Sequence, residues 1–522
     1  MIKTNKITLG LLFLALFYFS CEQEEITPTV TQDLTEEEQQ KLISSPEIDQ
    51  IILQSLHDTG DFLWMEQSDR LIWSALVQSD SVLTIGYSPS GLSSPNARIG
   101  IESVQSPEWQ ESAQNILGMI NETIERTGSP QLRIGNENAL IHKDLPYLEI
   151  KVTSLEVLQN LRKMDEVRYF EPLSYEFDYS LLNQGQNARY FSDSGCSNDP
   201  VGSLPASDYV TISPNAKSSW NYPQMGITQA WQQSTGDNIT IGLIDTGVSP
   251  NQNLLGSGFQ SGESVSRSIE KFGTYQTGYW WWKKYDGPND QCGHGTSMAG
   301  VIASPRNGVG NTVGVAYNSN LISVRGTSDV IVNSGNEKDG VAEALVLLGK
   351  RSDVKIISMS IGDVFSNSKV ADAVRYAYNR GKLIFAAAGT STSFTNWVGV
   401  IFPATMAETV AVTGIKESAT YQRCNTCHSG SKVDFTVIME RAGSENKPLA
   451  LANSGNDPST VGGSSVATAT ASGIAALLWS KNPTWSRDQI LNQLKTTADL
   501  YPNRNSQYGW GNLDAGAALG VY

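Results

Sequence analysis

Three side chains capable of acyl-transfer chemistry stand in separate local patterns, in the chain order carboxylate, imidazole, hydroxyl. Asp245 ends the apolar run IGLID and enters the turn TGVSP. A run closed this way predicts a buried strand whose last residue stands at the carboxyl edge of a parallel sheet, where ligands bind. His294, one of only four histidines, lies between glycines in CGHGTSMAGVIA and opens a helix of small apolar residues. The flanking glycines let the backbone pass close to other groups. Ser465 follows the glycine turn of VGGSSVATATASGIAALLW, which runs straight into a helix. Its hydroxyl therefore stands near the positive helix end, with Ser464 the competing nucleophile by position. A serine hydroxyl is a poor nucleophile until a base takes its proton. A histidine base in turn needs a carboxylate to hold its tautomer and stabilise the imidazolium.

The elements that must position these groups are legible as alternating runs. From Trp220 onwards the apolar segments ITIGLID, NLISVRG, VKIISMSIG, KLIFAAAG and TVAVTGI alternate with the helical segments SMAGVIA, VAEALVLLGK, SKVADAVRYAYNR and SVATATASGIAALLW. Strands apolar throughout, each followed by a helix, predict an α/β domain over residues 216–522, its parallel sheet covered by helices on both faces. Ahead of it, SVLTIGY, WQESAQNILGMINETIERTG, YLEIKV, LEVLQNLRKM and VRYFEP read as β, α, β, α, β. That order predicts a small α+β, ferredoxin-like sheet domain over 81–178, covered on one face. Residues 179–215, rich in Asn, Ser, Asp and Gly, read as a linker. Residues 21–80 read as an acidic tether and one or two short helices marked by Ile48, Ile51, Ile52, Leu53 and Leu56.

The start of the chain has Lys3 and Lys6 before an apolar run from Ile7 to Phe19, then Ser20 and Cys21 ahead of acidic residues. Residues 1–20 are expected to be a signal peptide. The arrangement resembles a bacterial lipoprotein signal, with Cys21 as the lipidated new N-terminus, although Tyr18 stands where a small aliphatic residue is usual. A plain secretory signal is the alternative. Export is expected either way, with a lipid anchor in a bacterial membrane, the outer membrane or cell surface included. The net charge of −16 argues against a nucleic-acid partner. Cys196, Cys292, Cys424 and Cys427 form an even set in an oxidising compartment, with three pairings open. Cys424 and Cys427 have the spacing of a metal or redox motif, but only His428 lies near, so structural disulfides are the expectation.

Taken together, a strand ending in D-T-G, an H-G-T opening a helix and G-S-S-x-A at a helix start resemble the subtilase family, with Ser464 where that family usually has Thr. The likeness runs from about Trp220 to Leu519, through WNYPQMGITQAW, NGVGNTVGVAYNSNLISVR and YGWGNLDAGAAL. It implies a serine endopeptidase that works through an acyl-enzyme on the triad Asp245, His294 and Ser465, without metal or organic cofactor. SMSIG resembles the edge that pairs with the substrate backbone, which implies substrate-binding roles for Ser360, Ile361 and Gly362. The Ser465 backbone N–H is one expected oxyanion donor. The family usually supplies a second from an Asn directly after an A-A-A-G strand end, where KLIFAAAGTS has Thr390. An active enzyme of lowered turnover is expected, with a catalytically silent peptide-binding protein as the alternative. The small domain stands in the place of a subtilase propeptide. That position implies a precursor cleaved between about Ser180 and Ser213, with protein substrates, the chain's own N-terminal domain and the membrane as partners. Calcium in this family is commonly held by an acid soon after the catalytic Asp; SPNQNLL has none, which argues against that site. The insertion TGYWWWKKYDGP sets Trp280, Trp281 and Trp282 beside Lys283 and Lys284. It is expected to pin down its own loop rather than bind aromatic groups or a membrane surface.

Overall fold

A computed structural model describes residues 41–126, 139–183, 196, 198–278, 282–390, 396–418, 420–444 and 446–521. The expected signal, the lipidation at Cys21, and Trp280 and Trp281 lie outside the described residues. Helix α1 (Ser45–Thr59) forms where the spacing predicts it. Ile48, Ile52 and Leu56 share its buried stripe. Glu47 accepts the Ser44 N–H at 2.9 Å, and Gly60 ends the helix in the left-handed region at φ 79°. A second helix, α2 (Asp69–Val77), follows.

The next segment folds as β1 (Val82–Tyr87), α3 (Pro107–Arg126), β2 (Ala139–Ile141), β3 (Tyr147–Lys151), α4 (Leu155–Leu161) and β4 (Val167–Pro172). Its sheet is antiparallel, in the order β2-β3-β1-β4. The three-residue strand β2 was not anticipated, because three residues are too few to reveal an alternation. Leu83, Ile85, Leu148, Ile150 and Phe170 point to one face, where they form a core with α1 to α4. Thr84, Glu149, Tyr169 and Glu171 occupy the alternate positions and are also buried. The sheet is therefore covered on both faces rather than one, and the second cover belongs to the larger domain.

That domain contains β5 (Thr240–Asp245), β6 (Ile269–Gly273), α5 (His294–Ala303), β7 (Asn320–Arg325), α6 (Gly335–Lys350), β8 (Val354–Met359), α7 (Ser368–Asn379), β9 (Leu383–Ala387), β10 (Val410–Lys416), β11 (Phe435–Glu440) and α8 (Gly463–Lys481). The strands are parallel, in the order β11-β10-β9-β8-β5-β7-β6. All five expected strands are present. The two unanticipated ones, β6 and β11, are the sheet edges. One core packs α5 and α8 on one face and another packs α6 and α7 on the other, as the continuous apolar strands require. No described helix is long and apolar enough to cross a membrane.

The small sheet sits against α6 and α7 through charged groups. Lys369 is fully buried between Glu149, at 2.7 Å, and Asp339. Arg168 forks onto Asp372 at 2.7 and 2.8 Å. Glu171 accepts from the Asn367 side chain at 2.7 Å and the Ser368 N–H at 3.2 Å, capping the positive end of α7. A buried ion contributes only where its partner stays, so this interface fixes registry more than it adds net stability.

Of the three possible cysteine pairings, the chain forms Cys196–Cys292 and Cys424–Cys427. Cys196–Cys292 joins the linker to the loop two residues before His294. A protease site introduced at the exposed Gly202 therefore yields fragments that stay together on a denaturing gel and separate only after reduction.

Candidate functional site

The carboxyl edges of β5, β8 and β9 meet where the strand order reverses, since β5 neighbours β7 on one side and β8 on the other. This is the position at which an open parallel sheet leaves a crevice. Asp245, the last residue of β5, is fully buried. Its Oδ1 accepts from His294 Nδ1 at 2.7 Å and from the Thr246 N–H at 2.8 Å. His294 is the first residue of α5, also buried. Asp290, whose role the sequence reading missed, organises this helix start. One of its oxygens accepts the Cys292 and Gly293 N–H groups at 3.0 and 2.7 Å, and the other accepts the Thr296 N–H and hydroxyl at 2.9 and 2.6 Å. A side chain on Gly295 would begin 2.3 Å from the Gly247 carbonyl, which explains the glycine after the histidine.

Burial alone would make His294 harder to protonate. The Asp245 charge and hydrogen bond, helped by Asp290 and Asp329, outweigh it and raise the imidazole above its ordinary 6.5. The pair is thus built to stabilise an imidazolium.

Ser465 is the third residue of α8 and lines the crevice. Its hydroxyl donates to the Ser360 carbonyl at 3.4 Å, and the Ser360 hydroxyl donates to the Ser465 carbonyl at 2.9 Å. No hydrogen bond joins Ser465 to His294 in this arrangement; such contacts often tighten only with substrate bound. Ser464 is fully buried, and its hydroxyl is engaged elsewhere, which leaves Ser465 as the nucleophile candidate.

Thr390 follows the end of β9 beside this helix start. Its Oγ1 accepts the Ser464 N–H at 2.9 Å and lies 2.7 Å from the Ser464 hydroxyl. Ser464 Oγ accepts the Gly389 N–H at 3.2 Å, and among the described residues the Thr390 oxygen is the only acceptor bonded to it. Either hydroxyl can donate in this pair; with Ser464 as donor, the Thr390 proton is left for another acceptor. Nothing in the sequence pattern announces this order, because the two hydroxyls are 74 residues apart.

The expected substrate edge is on the crevice wall: Ser360, Ile361 and Gly362 all line it. Gly362 is already paired, however. Its N–H donates to the Val330 carbonyl at 3.0 Å and its carbonyl accepts the Val332 N–H at 2.9 Å. Tyr179, from the segment after the small domain, enters the same crevice and donates its hydroxyl to Asp363. Trp282 is 77% exposed, and Lys283 beside it pairs with Asp339.

Residues 236–511 match a family model described as the subtilase family. Alkaline elastase YaB from Bacillus sp. (strain YaB) is 31% identical over 290 residues, which cover 54% of this chain and 65% of that protein. Subtilisin Savinase from Lederbergia lenta is 29% identical over 288 residues, covering 54% of this chain and 91% of its own length. The crystal structure of fervidolysin from Fervidobacterium pennivorans, a keratinolytic enzyme related to subtilisin, superposes with a TM-score of 0.56 at 17% identity. It covers 84% of this chain and 61% of that one, so the shared fold extends beyond the family-matched stretch.

Ser465 should react with a fluorophosphonate only when His294 is neutral. The labelling rate is expected to fall on the acid side with a midpoint above 6.5. With Asp245→Asn, burial is left to dominate: the midpoint should move down and the rate fall by about 10⁴, as when the Asp of such a triad is neutralised.

Proposed function

Because the chain belongs to the subtilase family, we propose that it is a serine endopeptidase hydrolysing peptide bonds of extracytoplasmic proteins, made as a precursor whose N-terminal domain blocks the crevice. The observation that carries this reading is the buried 2.7 Å bond from His294 to Asp245, together with Ser465 in the first turn of the helix that starts at Gly463. His294, its Nδ1–H held by Asp245, accepts the Ser465 proton on its other nitrogen as the hydroxyl attacks a peptide carbonyl. The imidazolium then protonates the leaving amine, and water attacks the acyl-enzyme by the same route in reverse. Asp245 stays ionised throughout and stabilises the cation.

Charge on the tetrahedral oxygen falls to the Ser465 N–H and the Thr390 hydroxyl. Thr390 serves in this role when Ser464 is the donor of their 2.7 Å pair, since its own proton is then not spent on Ser464. A precursor is supported by Tyr179 standing in the crevice and by the small sheet covering α6 and α7. Processing between about Ser180 and Ser213 would cut Tyr179 loose where the break precedes Cys196, while a later break leaves its fragment joined through Cys196–Cys292; pairing of a substrate strand with Ser360, Ile361 and Gly362 then requires the Val330–Val332 segment to move aside. Export and lipidation at Cys21 complete the reading, placing the precursor at a membrane surface outside the cytoplasm; a cut after Cys196 keeps the active domain there through Cys196–Cys292.

A silent peptide-binding protein is the second reading, favoured by the Ser465 hydroxyl resting on Ser360 rather than on His294. The two separate cleanly. Fluorophosphonate labelling and casein hydrolysis by the processed protein, both abolished by Ser465→Ala, are the expected result; absence of both overturns the enzyme. Within an active enzyme, Thr390→Val should lower kcat by about 10²–10³, the range for losing one oxyanion donor. Ser464→Ala should lower kcat by a smaller factor with KM unchanged, as it frees Thr390 to turn away; stopped-flow or steady-state kinetics on a chromogenic peptide read both.

A further inference from the structure

The crevice wall beside Ser465 carries a buried acid that the catalytic steps above do not use. Asp363 lies three residues after Ser360, is 3% exposed, and is locked in place by two backbone bonds with Phe402, at 2.9 and 3.0 Å. Its Oδ1 accepts the Val364 N–H at 2.7 Å and the hydroxyl of Tyr179. Its Oδ2 is buried with no hydrogen-bond partner among the described residues. The surrounding wall is apolar, with Val330, Ile331, Ile361, Val364 and Ile401.

A buried carboxyl costs stability unless donors reach it, and Tyr179 supplies one to Oδ1. Tyr179, itself part of the lining, shows what reaches this carboxyl: an aromatic ring, edge-on to Phe177 at 5.4 Å between centroids, with a donor at its far end. Phenylalanine would leave Asp363 short of a donor. A lysine or arginine would bring a second cation toward Lys338, whose charge already acts on Asp363. Burial pushes the Asp363 carboxyl up to about 6, with Lys338 and the Tyr179 hydrogen bond pulling the other way; in its ionised form it accepts a phenol strongly. His428, the other titratable group on the wall, is pushed down to about 4 by burial and adds no charge.

Resting on the peptidase reading, we propose that Asp363 is a specificity-determining residue, selecting substrates that place a tyrosine side chain where Tyr179 now stands. Tyr179 is then a built-in occupant of a substrate subsite, and its hydroxyl, not only its bulk, holds the crevice closed.

The full chain carrying Tyr179→Ala opens the pocket to small probes that copy side chains: p-cresol for tyrosine, toluene for phenylalanine and n-butylammonium for lysine. Titration followed by NMR should find p-cresol bound at least about tenfold more tightly than toluene, with n-butylammonium weakest, because a hydrogen bond to an ionised group is at stake. Adding Asp363→Ala should erase the preference. If that variant does not fold, the near-isosteric Asp363→Asn should reduce it to a few-fold. Toluene binding as tightly as p-cresol, or n-butylammonium binding best, overturns the proposal. On the processed wild-type protein, peptides differing only by Tyr or Phe at one position should differ in kcat/KM by a similar factor. Probe selectivity without any peptide cleavage would refute the peptidase and leave the Asp363 pocket standing; cleavage indifferent to Tyr and Phe at every position would do the reverse.

Discussion

The hydrogen bond from His294 to Asp245 is the constraint on which the rest of the site depends. Both groups are buried, so neither can fall back on water if the other is displaced. A 2.7 Å contact between residues 49 apart requires the end of β5 and the start of α5 to hold position closely. Asp290 secures this by accepting four donors across the turn into α5, and Gly295 permits it by having no side chain to strike the Gly247 carbonyl. The parallel sheet supplies the frame, because its carboxyl edges converge where strand order reverses.

A second constraint acts at the opposite wall. Gly463 takes φ 86° immediately before Ser464, and a side chain there would start 2.7 Å from Thr390. The backbone is thereby brought close enough for the Thr390 hydroxyl to accept the Ser464 N–H. A threonine in this place is short, and it works as a directed donor only if its proton has no better acceptor. The buried Ser464 hydroxyl, which accepts the Gly389 N–H, meets that condition when it is the donor to Thr390.

The small N-terminal domain joins these parts through charge rather than apolar contact alone. Its strands alternate, so one face builds its own core while the other presents Glu149, Tyr169 and Glu171 to α6 and α7. The same alternation that makes the domain fold makes it a fitted cover. The chain that leaves this cover then carries Tyr179 into the crevice, which ties the packing of one domain to access at the site of the other.

Much of this was written in local pattern. Continuous apolar runs disclosed five of the seven parallel strands, and local motifs singled out Asp245, His294, Ser465 and Thr390 as candidates, because strand burial and helix starts leave their mark within a few neighbouring residues. The outer strands β6 and β11 were missed, and β6, half-buried and carrying Glu270 and Lys271, has no apolar run to betray it. Cysteine spacing left three pairings open, since proximity of Cys196 to Cys292 depends on how the linker crosses the domain. What only tertiary structure decided is which atoms meet: Asp290 beneath the His294 helix, Ser464 against Thr390, Val330 and Val332 closing on Gly362, and Tyr179 resting on Asp363. Sequence by itself determines which groups are present and which elements carry them. Hydrogen bonds between residues tens to hundreds of positions apart follow from the packing of whole elements, and no local window contains that information.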